Sequence, residues 1–282
     1  PAADAALESA MADDVVLATK FYGPVDDDIN HRGASRRWIM DAVERSLRNL
    51  GTDYIDLYQL HRPDPDTDIE ETLSALTDLV RQGKVRAIGS SSMRGSEIVE
   101  AQWVSERRGF ERFRTEQPNY SILDREIERE ILPVAQRYGM GTLVYSPLAG
   151  GALSGKYRAG QVNDNFRAGT GMQHFRDERR LATIEELVAL ADEVGIPLSQ
   201  LAMAFTLAHP GVTSAIIGPR TMEQLESTLA GAEIALSDEV LDRIDAIVPP
   251  GESIGAMDMV YRGPEVGNAA LRRRPVSDRM AG

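Results

Sequence analysis

The sequence predicts an α/β fold, a (β/α)8 TIM-type barrel of which six of the eight strands are present. Short apolar runs rich in β-branched residues recur along the chain, and amphipathic helical segments separate them. Strands that alternate with helices favour a parallel sheet with right-handed connections. The predicted strands are Val15–Lys20, Ile55–Leu60, Val85–Gly89, Phe113–Gln117, Thr142–Tyr145 and Ser214–Gly218.

Capping residues and charges mark the ends of the first predicted helices. Ser35 can cap the N-terminus of the first helix, and Gly51 and Gly83 follow the last residues of the first two. Glu70 and Glu71 fall in the first turn of the second helix, where the helix dipole favours negative charge. The predicted helices are Ser35–Leu50, Asp68–Gln82, Gly95–Arg108, Arg125–Tyr138, Arg179–Val194, Leu198–Ala208 and Thr221–Ala232.

The spacing of the strands indicates the domain organisation. The first five predicted strands begin about 30 to 40 residues apart, which suits repeated strand–loop–helix units. The interval after Tyr145 is longer and contains a Gly/Asn/Asp-rich loop, Gly150–His174, of the kind that often serves as a lid or a cofactor clamp. The regular pattern ends near Pro249. We therefore predict a barrel domain over residues 1–250 and a C-terminal tail over residues 251–282.

The start of the chain resembles the interior of a domain. Pro1–Ala12 has the composition of a helix that is already under way, and the strand-like Val15–Lys20 follows almost at once. Six strands cannot close an eight-stranded barrel. We therefore expect the first two strands of the barrel to be missing from the N-terminal side of this sequence.

Composition excludes several classes of function. The net charge is -13, with 31 Lys and Arg against 44 Asp and Glu, so we expect no general binding of nucleic acid or of an anionic membrane surface. The chain has no cysteine, which excludes disulfides and thiolate metal sites. It contains no apolar run long enough to span a bilayer and no signal segment at its start.

Two neighbouring strand ends carry side chains that are suited to proton chemistry. Lys20 closes the first strand and His61 follows the second, and the active sites of such barrels lie at the C-terminal ends of the strands. A lysine lowers the pKa of an adjacent ionisable hydroxyl, and a histidine can orient a carbonyl group. Either residue alone is more typical of a solvated or structural position, whereas the pair at one rim points to a site.

Two later loops are suited to phosphate. Tyr145–Gly151 is rich in glycine, and Gly218–Ser227 combines a glycine and Arg220 with the start of a helix. Glycines let backbone N–H groups approach an anion, and a helix N-terminus favours negative charge. An ordinary turn followed by a helix cap is an equally good interpretation of either loop alone.

Three other possible binding motifs lack the residues or the spacing that their ligands require. Gly139-Met-Gly141 lacks the third glycine of a dinucleotide fingerprint and precedes a strand instead of following one. Ile69 occupies the position where a calcium loop requires glycine. The histidines show no metal-ligand spacing, so we predict no metal site.

The sequence resembles the aldo-keto reductase family. The segment SRRWIMDAVERSLRNLGTDYIDLYQLHRPDPDTDIEETLSALTDLVRQGKVRAIGSSS is similar to the third to fifth units of that family's barrel. EQPNYSILDR, YSPLAGGALSGKY and IIGPRTMEQLE are similar to its later motifs and occur in the family's order. The similarity extends from about Asp13 to Val248.

The resemblance implies a barrel that binds NADPH, or less often NADH, and transfers a hydride between the nicotinamide and the carbonyl carbon of a small molecule. It implies that Lys20 tunes a catalytic tyrosine and that His61 positions the substrate oxygen. The residues that it places near the nicotinamide are Ser91, Ser92, Gln117 and Tyr145. Those that it places along the phosphates and the adenosine are Ser146, Leu148, Gly150, Gly218, Arg220, Gln224 and Thr228. The implied NADPH and the lack of a signal segment predict a cytoplasmic protein.

The sequence departs from the family pattern in several places. Ser92 stands where many members have Asn, and Ser227 and Thr228 stand where many have Glu and Asn. The family's catalytic Asp and Tyr lie upstream of its lysine, and Tyr22 is a poor substitute because it lies on the loop that leaves the strand. We therefore expect an active full-length enzyme but little activity from this chain. The alternative is an NADPH-binding module or sensing subunit without turnover.

Overall fold

The computed structural model describes residues 14–157 and 177–255, together with residues 263 and 266. Three predictions therefore lie outside the described residues, either wholly or in large part. They are the helical start Pro1–Ala12, residues 158–174 of the long loop, and most of the C-terminal tail.

Six parallel strands form one sheet in the described part of the chain, in the same order as in the sequence. The register pairs Lys20 with Gln59, and Ser91 with Gln117. This sheet confirms the α/β class and is consistent with a TIM-type barrel. The strands are β1 (Ala18–Phe21), β2 (Ile55–Leu60), β3 (Val85–Ser91), β4 (Thr115–Gln117), β5 (Gly141–Val144) and β6 (Ser214–Ala215).

The two outer strands of this sheet are shorter than predicted. β1 begins at Ala18 instead of Val15, and Val16 is 79% exposed. Just before β1, the Leu17 N–H donates to Asp56 Oδ2 at 2.9 Å, so a side chain replaces a strand partner there. β6 ends at Ala215, four residues before Pro219, which has no N–H to donate to a neighbouring strand.

Helices lie between the strands, largely where the sequence predicts them. Ser35 caps the first helix by accepting from the Trp38 N–H, and Gly51 ends it at a φ of 68°. The helices are α1 (Arg36–Leu50), α2 (Ile69–Arg81), α3 (Gly95–Arg108), α4 (Ile131–Arg137), α5 (Glu178–Val194), α6 (Leu198–Ala208), α7 (Met222–Ala232) and α8 (Asp238–Ile247).

The prediction of one helix over Arg125–Tyr138 was wrong. A short 3-10 turn, Glu126–Glu128, is separated from α4 at Glu130, which lies outside helical geometry with φ -139°. Pro133 explains the break, because its ring has no N–H and clashes with the carbonyl group four residues earlier. Pro133 is tolerated only in the first turn of α4, which is where it lies.

Helix α8 was missed by the sequence analysis, although its N-terminal signal is ordinary. Ser237 accepts from the Val240 N–H at 3.4 Å, and Asp238 and Glu239 occupy the first turn. Both features are favourable at a helix N-terminus. The helix is short and mostly exposed, with Ile244 as its buried residue, so its apolar periodicity is weak.

The core consists of two clusters of buried apolar side chains. One joins β1–β3 to α1–α3 and includes Trp38, Tyr58 and Leu76. The other joins β5 to α5, α6 and α8 and includes Val144 and Leu187. Full burial of one such side chain contributes about 1.5–3 kcal/mol, so these clusters hold the helices against the sheet and fix the strand ends.

A buried ion pair attaches the residues after α8 to the rest of the structure. The guanidinium of Arg180 on α5 is fully buried and donates to both carboxylate oxygens of Asp124, at 2.7 and 3.2 Å, and to the Ile254 carbonyl at 2.7 Å. The Ile254 N–H in turn donates to the Leu123 carbonyl at 2.9 Å. The first residues of the predicted tail therefore pack against the segment that follows β4.

Among the described residues, no single helix is long and apolar enough to cross a membrane. Helices α5 and α6 reach that length and hydropathy only when they are taken together, across a bend of 93°.

Candidate active site

The sheet register places several predicted site residues on one face. Lys20, Gln59, Gly89 and Thr115 lie opposite one another on successive strands, and residues paired in this way point to the same side of a sheet. His61, Ser91 and Gln117 follow two residues further along their strands, so they share this face at its C-terminal edge. The structure thus brings the residues from four strands to one edge.

Lys20 and His61 line the same cleft, which has a volume of about 280 Å³. Tyr22 and Trp38 also line it. Burial, and then the charge of Arg62, lower the pKa of the Lys20 ammonium. Burial lowers the pKa of His61 as well, assisted by Arg62 and Lys20, so a neutral imidazole is favoured at neutral pH. A neutral imidazole can donate one hydrogen bond to a carbonyl oxygen.

Arg62 belongs to this site and was not identified from the sequence. Its Nη1 donates to the Ser92 hydroxyl, which links the end of β2 to the turn after β3. Its charge acts on both Lys20 and His61. The only available signal was its position directly after His61, and a single arginine at a strand end has no distinctive pattern.

Tyr22 has an unusual backbone and an unfavourable electrostatic environment. Its φ is 125°, in a region that L-residues rarely adopt, and its carbonyl accepts from the Gly33 N–H at 2.8 Å. Burial, and then the charges of Asp64 and Asp66, raise the pKa of its phenol. A proton donor that works near neutral pH needs the opposite shift, so the environment of Tyr22 does not favour that role.

Ser91, Ser92 and Gln117 are joined to one another at the ends of β3 and β4. The Ser91 hydroxyl donates to the Gln117 carbonyl at 2.8 Å, and the Ser92 N–H donates to the same oxygen at 3.3 Å. Ser92 has a φ of 58°. The side-chain amide of Gln117 lies on the face that carries His61. Gln117 can therefore present a carboxamide at this edge of the sheet, and the Ser91 hydroxyl, whose proton is donated to Gln117, can still accept a hydrogen bond there.

Glu116 lies behind that group and was also missed in the sequence. It is fully buried, and it accepts from the Ser90 hydroxyl at 2.5 Å and from the Met93 N–H at 3.2 Å. Burial raises the pKa of its carboxyl to about 7. The three-residue strand β4 was too short to show, from its sequence, which side chains face inward.

The turn after β5 is tight and rich in positive φ values. Ser146, Ala149, Gly150 and Gly151 have φ values of 59°, 50°, 69° and 108°. The N–H groups of Ala149 and Gly151 donate within the turn, to the Ser146 and Leu148 carbonyls at 2.8 Å, and these bonds hold its backbone in place. Tyr145 and Leu148 are half-buried on the same turn.

The residues predicted at the adenosine end lie around the N-terminus of α7. Thr221 caps this helix, and the Arg220 N–H donates to Gln224 Oε1 at 2.9 Å. The Thr228 hydroxyl donates to the Gln224 carbonyl at 2.7 Å, so it is engaged within the helix. Gly218 and Arg220 are exposed, and open space surrounds the position of a Cβ at Gly218.

Metal chemistry has no visible support in the described residues, where no three His, Asp or Glu side chains are grouped as a metal ion would require.

Comparison with known proteins places the chain in a family. Residues 2–249 match the model of the aldo/keto reductase family. The chain is 41% identical over 242 residues to the uncharacterized oxidoreductase YrpG of Bacillus subtilis, which covers 84% of this chain and 73% of the relative. It is 33% identical over 263 residues to versiconal hemiacetal acetate reductase of Aspergillus parasiticus, covering 84% and 76%.

A different kind of relative is similar over the same region. A probable voltage-gated potassium channel subunit beta of Oryza sativa is 32% identical over 249 residues, covering 83% of this chain and 74% of the relative. The family model covers most of the chain, and the chain therefore belongs to the aldo/keto reductase family of NAD(P)-dependent oxidoreductases.

Proposed function

We propose that the protein reduces small aldehydes or ketones with NADPH, and with NADH less well. The observation that carries this proposal is that Lys20 and His61 line one cleft, which extends between β1 and α1. The sheet register places Ser91 and Gln117 on the same face as Lys20, outside the walls of that cleft. Bound NADPH would supply the hydride. The residues of the chain would hold the nicotinamide, orient the carbonyl group and exchange the proton.

The backbone shape of the two later loops supports the choice of cofactor. The glycine-rich turn at Ser146–Gly151 lets a pyrophosphate approach the backbone closely, and Tyr145 would lie against the nicotinamide ring. The open space at Gly218 and the exposed guanidinium of Arg220, beside the N-terminus of α7, suit the phosphate of the adenosine end. Gln224 and Thr228 would then contact the adenosine. The Arg220 guanidinium favours NADPH over NADH, because it can pair with the additional phosphate of NADPH.

His61 would donate a hydrogen bond to the substrate oxygen from a neutral imidazole, which its lowered pKa favours. Lys20 would lower the pKa of a neighbouring phenol and so assist protonation of that oxygen. Tyr22 lines the cleft with Lys20, and its raised pKa does not favour proton donation. We therefore propose that the chain reduces carbonyl compounds only slowly.

A second candidate function is binding of the nucleotide without turnover. Two observations favour it: the raised pKa of Tyr22, and the similarity to proteins named as potassium channel beta subunits. In this case the loops around Gly150 and Gly218 would hold NADPH, while Lys20 and His61 would have no substrate to act on.

The test is to measure NADPH consumption with a set of small aldehydes and ketones, using the wild-type chain, Lys20→Met and Lys84→Met. We expect slow reduction by the wild type and a further loss of about tenfold in Lys20→Met, which is smaller than a full acid–base contribution because the phenol of Tyr22 is a poor proton donor. Lys84 pairs with Glu44 away from the cleft, so Lys84→Met is the matched control and should keep the wild-type rate.

Equal rates in the wild type and Lys20→Met would overturn the proposed role of Lys20. No consumption by any variant, with NADPH still bound, would favour the second function.

A further inference from the structure

Glu116 is a fully buried carboxyl group that the proposed reaction does not use. It lies on β4, directly before Gln117, and its register partner on β3 is Ser90. Successive residues of a strand point to opposite sides, so Glu116 faces the helices while Gln117 faces the candidate site. A group in this position can act on the site only through the backbone.

The contacts of Glu116 reach the backbone that forms the nicotinamide end of the site. One carboxyl oxygen accepts from the Ser90 hydroxyl at 2.5 Å, and the other accepts from the Met93 N–H at 3.2 Å. These two residues flank Ser91 and Ser92. The carboxyl therefore fixes both ends of the short turn that carries the two serines.

That turn needs to be held in place. Ser92 has a φ of 58°, a conformation that costs a non-glycine residue about 1 kcal/mol or more. Arg62 donates a hydrogen bond to the Ser92 hydroxyl and so stabilises the turn from the β2 side. The Gln117 carbonyl accepts from the Ser91 hydroxyl and the Ser92 N–H. Glu116 stabilises the turn from the opposite side of the sheet, through Ser90 and Met93.

Burial of this carboxyl has a cost that stability alone does not explain. Its pKa is raised to about 7, mainly by burial and to a smaller degree by repulsion from Glu97 on α3. Within the described residues it forms no salt bridge. An apolar side chain of similar size would avoid the desolvation penalty, but it could not accept the two hydrogen bonds from Ser90 and Met93 or the further one from the Ser92 backbone.

We propose that Glu116 is a positioning residue for the nicotinamide: it sets the turn at Ser91 and Ser92 against Gln117, so that these residues meet the carboxamide of the cofactor. This inference rests on the proposed function, because it assumes that the nicotinamide binds at this edge. Glu116 itself contacts neither the nicotinamide nor the adenosine end of the cofactor.

The test compares two ligands by calorimetry on the full 282-residue chain. NADP+ carries the nicotinamide, whereas adenosine 2′,5′-bisphosphate carries only the adenosine end. In Glu116→Ala we expect NADP+ binding to weaken about tenfold, as loss of hydrogen bonds to a charged group implies, and adenosine 2′,5′-bisphosphate binding to stay within about twofold of the wild type.

Glu116→Gln should restore NADP+ binding to within about threefold of the wild type. Its amide oxygen can accept from the Met93 N–H, and its NH2 group can donate to the Ser90 hydroxyl, which already lies 3.4 Å from the Thr115 carbonyl and can donate there instead. If Glu116 contributed only to overall stability, Glu116→Ala would lower the affinity for both ligands to the same degree.

Ser90→Ala keeps the test valid if Glu116→Ala does not fold, because it removes only one of the two hydrogen bonds. We expect it to weaken NADP+ selectively, by about threefold. Thr206→Val is the matched control: Thr206 is buried, its hydroxyl bonds only within α6, and neither ligand should be affected.

Three results would contradict the inference. Equal weakening of both ligands in Glu116→Ala, or no weakening of NADP+ in Glu116→Ala and Ser90→Ala, would overturn the positioning role and leave the proposed function intact. If the wild-type chain bound neither NADP+ nor adenosine 2′,5′-bisphosphate, both the positioning role and the proposed function would be overturned.

Discussion

The two ends of the candidate site are built in different ways. At the β1–β2 end, Lys20, His61 and Arg62 supply charged or polar side chains, and the charge of Arg62 lowers the pKa values of Lys20 and His61. At the β5–β6 end, the turn at Ser146–Gly151 and the start of α7 supply backbone N–H groups in fixed conformations. The first end should therefore respond to changes of chemical group, and the second to changes of backbone shape.

The largest effect is expected from His61, where the chemical group matters most. His61→Leu should remove the hydrogen bond to the substrate oxygen and lower the rate of carbonyl reduction by about hundredfold. His61→Gln keeps an N–H donor and should lose less. NADPH affinity should stay within about threefold in both variants, as measured by quenching of protein fluorescence. A large loss of NADPH affinity would assign His61 to cofactor binding instead.

At the other end, glycine substitutions separate backbone strain from ligand contact. Gly150→Ala places a side chain at φ 69° and should weaken NADPH about tenfold. Gly139→Ala meets a similar strain at φ 59° before β5 and should lower stability without weakening NADPH. Gly218→Ala has neither strain nor a clash, so a loss of affinity there would indicate that a ligand occupies that space.

If Gly150→Ala and Gly139→Ala lowered the affinity for NADPH equally, general destabilisation would explain both results. The turn at Ser146–Gly151 would then lose its proposed role in binding.

Stability should depend on pH through Glu116. Its folded pKa of about 7 lies above its ordinary value of 4.5, so the unfolded chain releases this proton first as the pH rises. The contribution of Glu116 to stability is therefore fully present below pH 4.5 and decreases as the pH rises through about 7. Relative to Glu116→Gln, the melting temperature of the wild type should fall across this window. Parallel melting curves for the two proteins would contradict this account.

The smallest effect is expected from Arg62. Its charge lowers the pKa of His61, with burial as the larger cause. In Arg62→Met, the pKa of His61 should rise only part of the way towards its ordinary value, because burial, the larger cause of the shift, remains. Titration of the histidine proton resonances by NMR would detect the change. Arg107→Met, a surface substitution beside Trp103, is the control.

The sequence predicted the parallel sheet, and local rules explain that success. Buried strands such as Ile55–Leu60 and capped helices such as α1 carry their signals within a few residues. The failures arose where the decisive interaction is distant or weak. Pro133 divides a segment whose apolar pattern is continuous, and α8 buries too little to show a period.

The same distinction applies to the site. Lys20 and His61 were recognisable because strand ends meet at one rim, and the structure places both in one cleft. Arg62 and Glu116 were not recognisable, since their roles depend on contacts with Ser92, Ser90 and Met93 that the sequence does not reveal. No fixed spacing in a sequence identifies charged residues that act by stabilising a turn.

Calorimetric titration of the 282-residue chain with NADPH tests the central claim most directly, since both ends of the site must contribute to binding. We expect saturable binding of one NADPH per chain, tighter than the binding of NADH and weakened by Gly150→Ala but not by Gly139→Ala. Absence of saturable NADPH binding by the folded wild-type chain would contradict it.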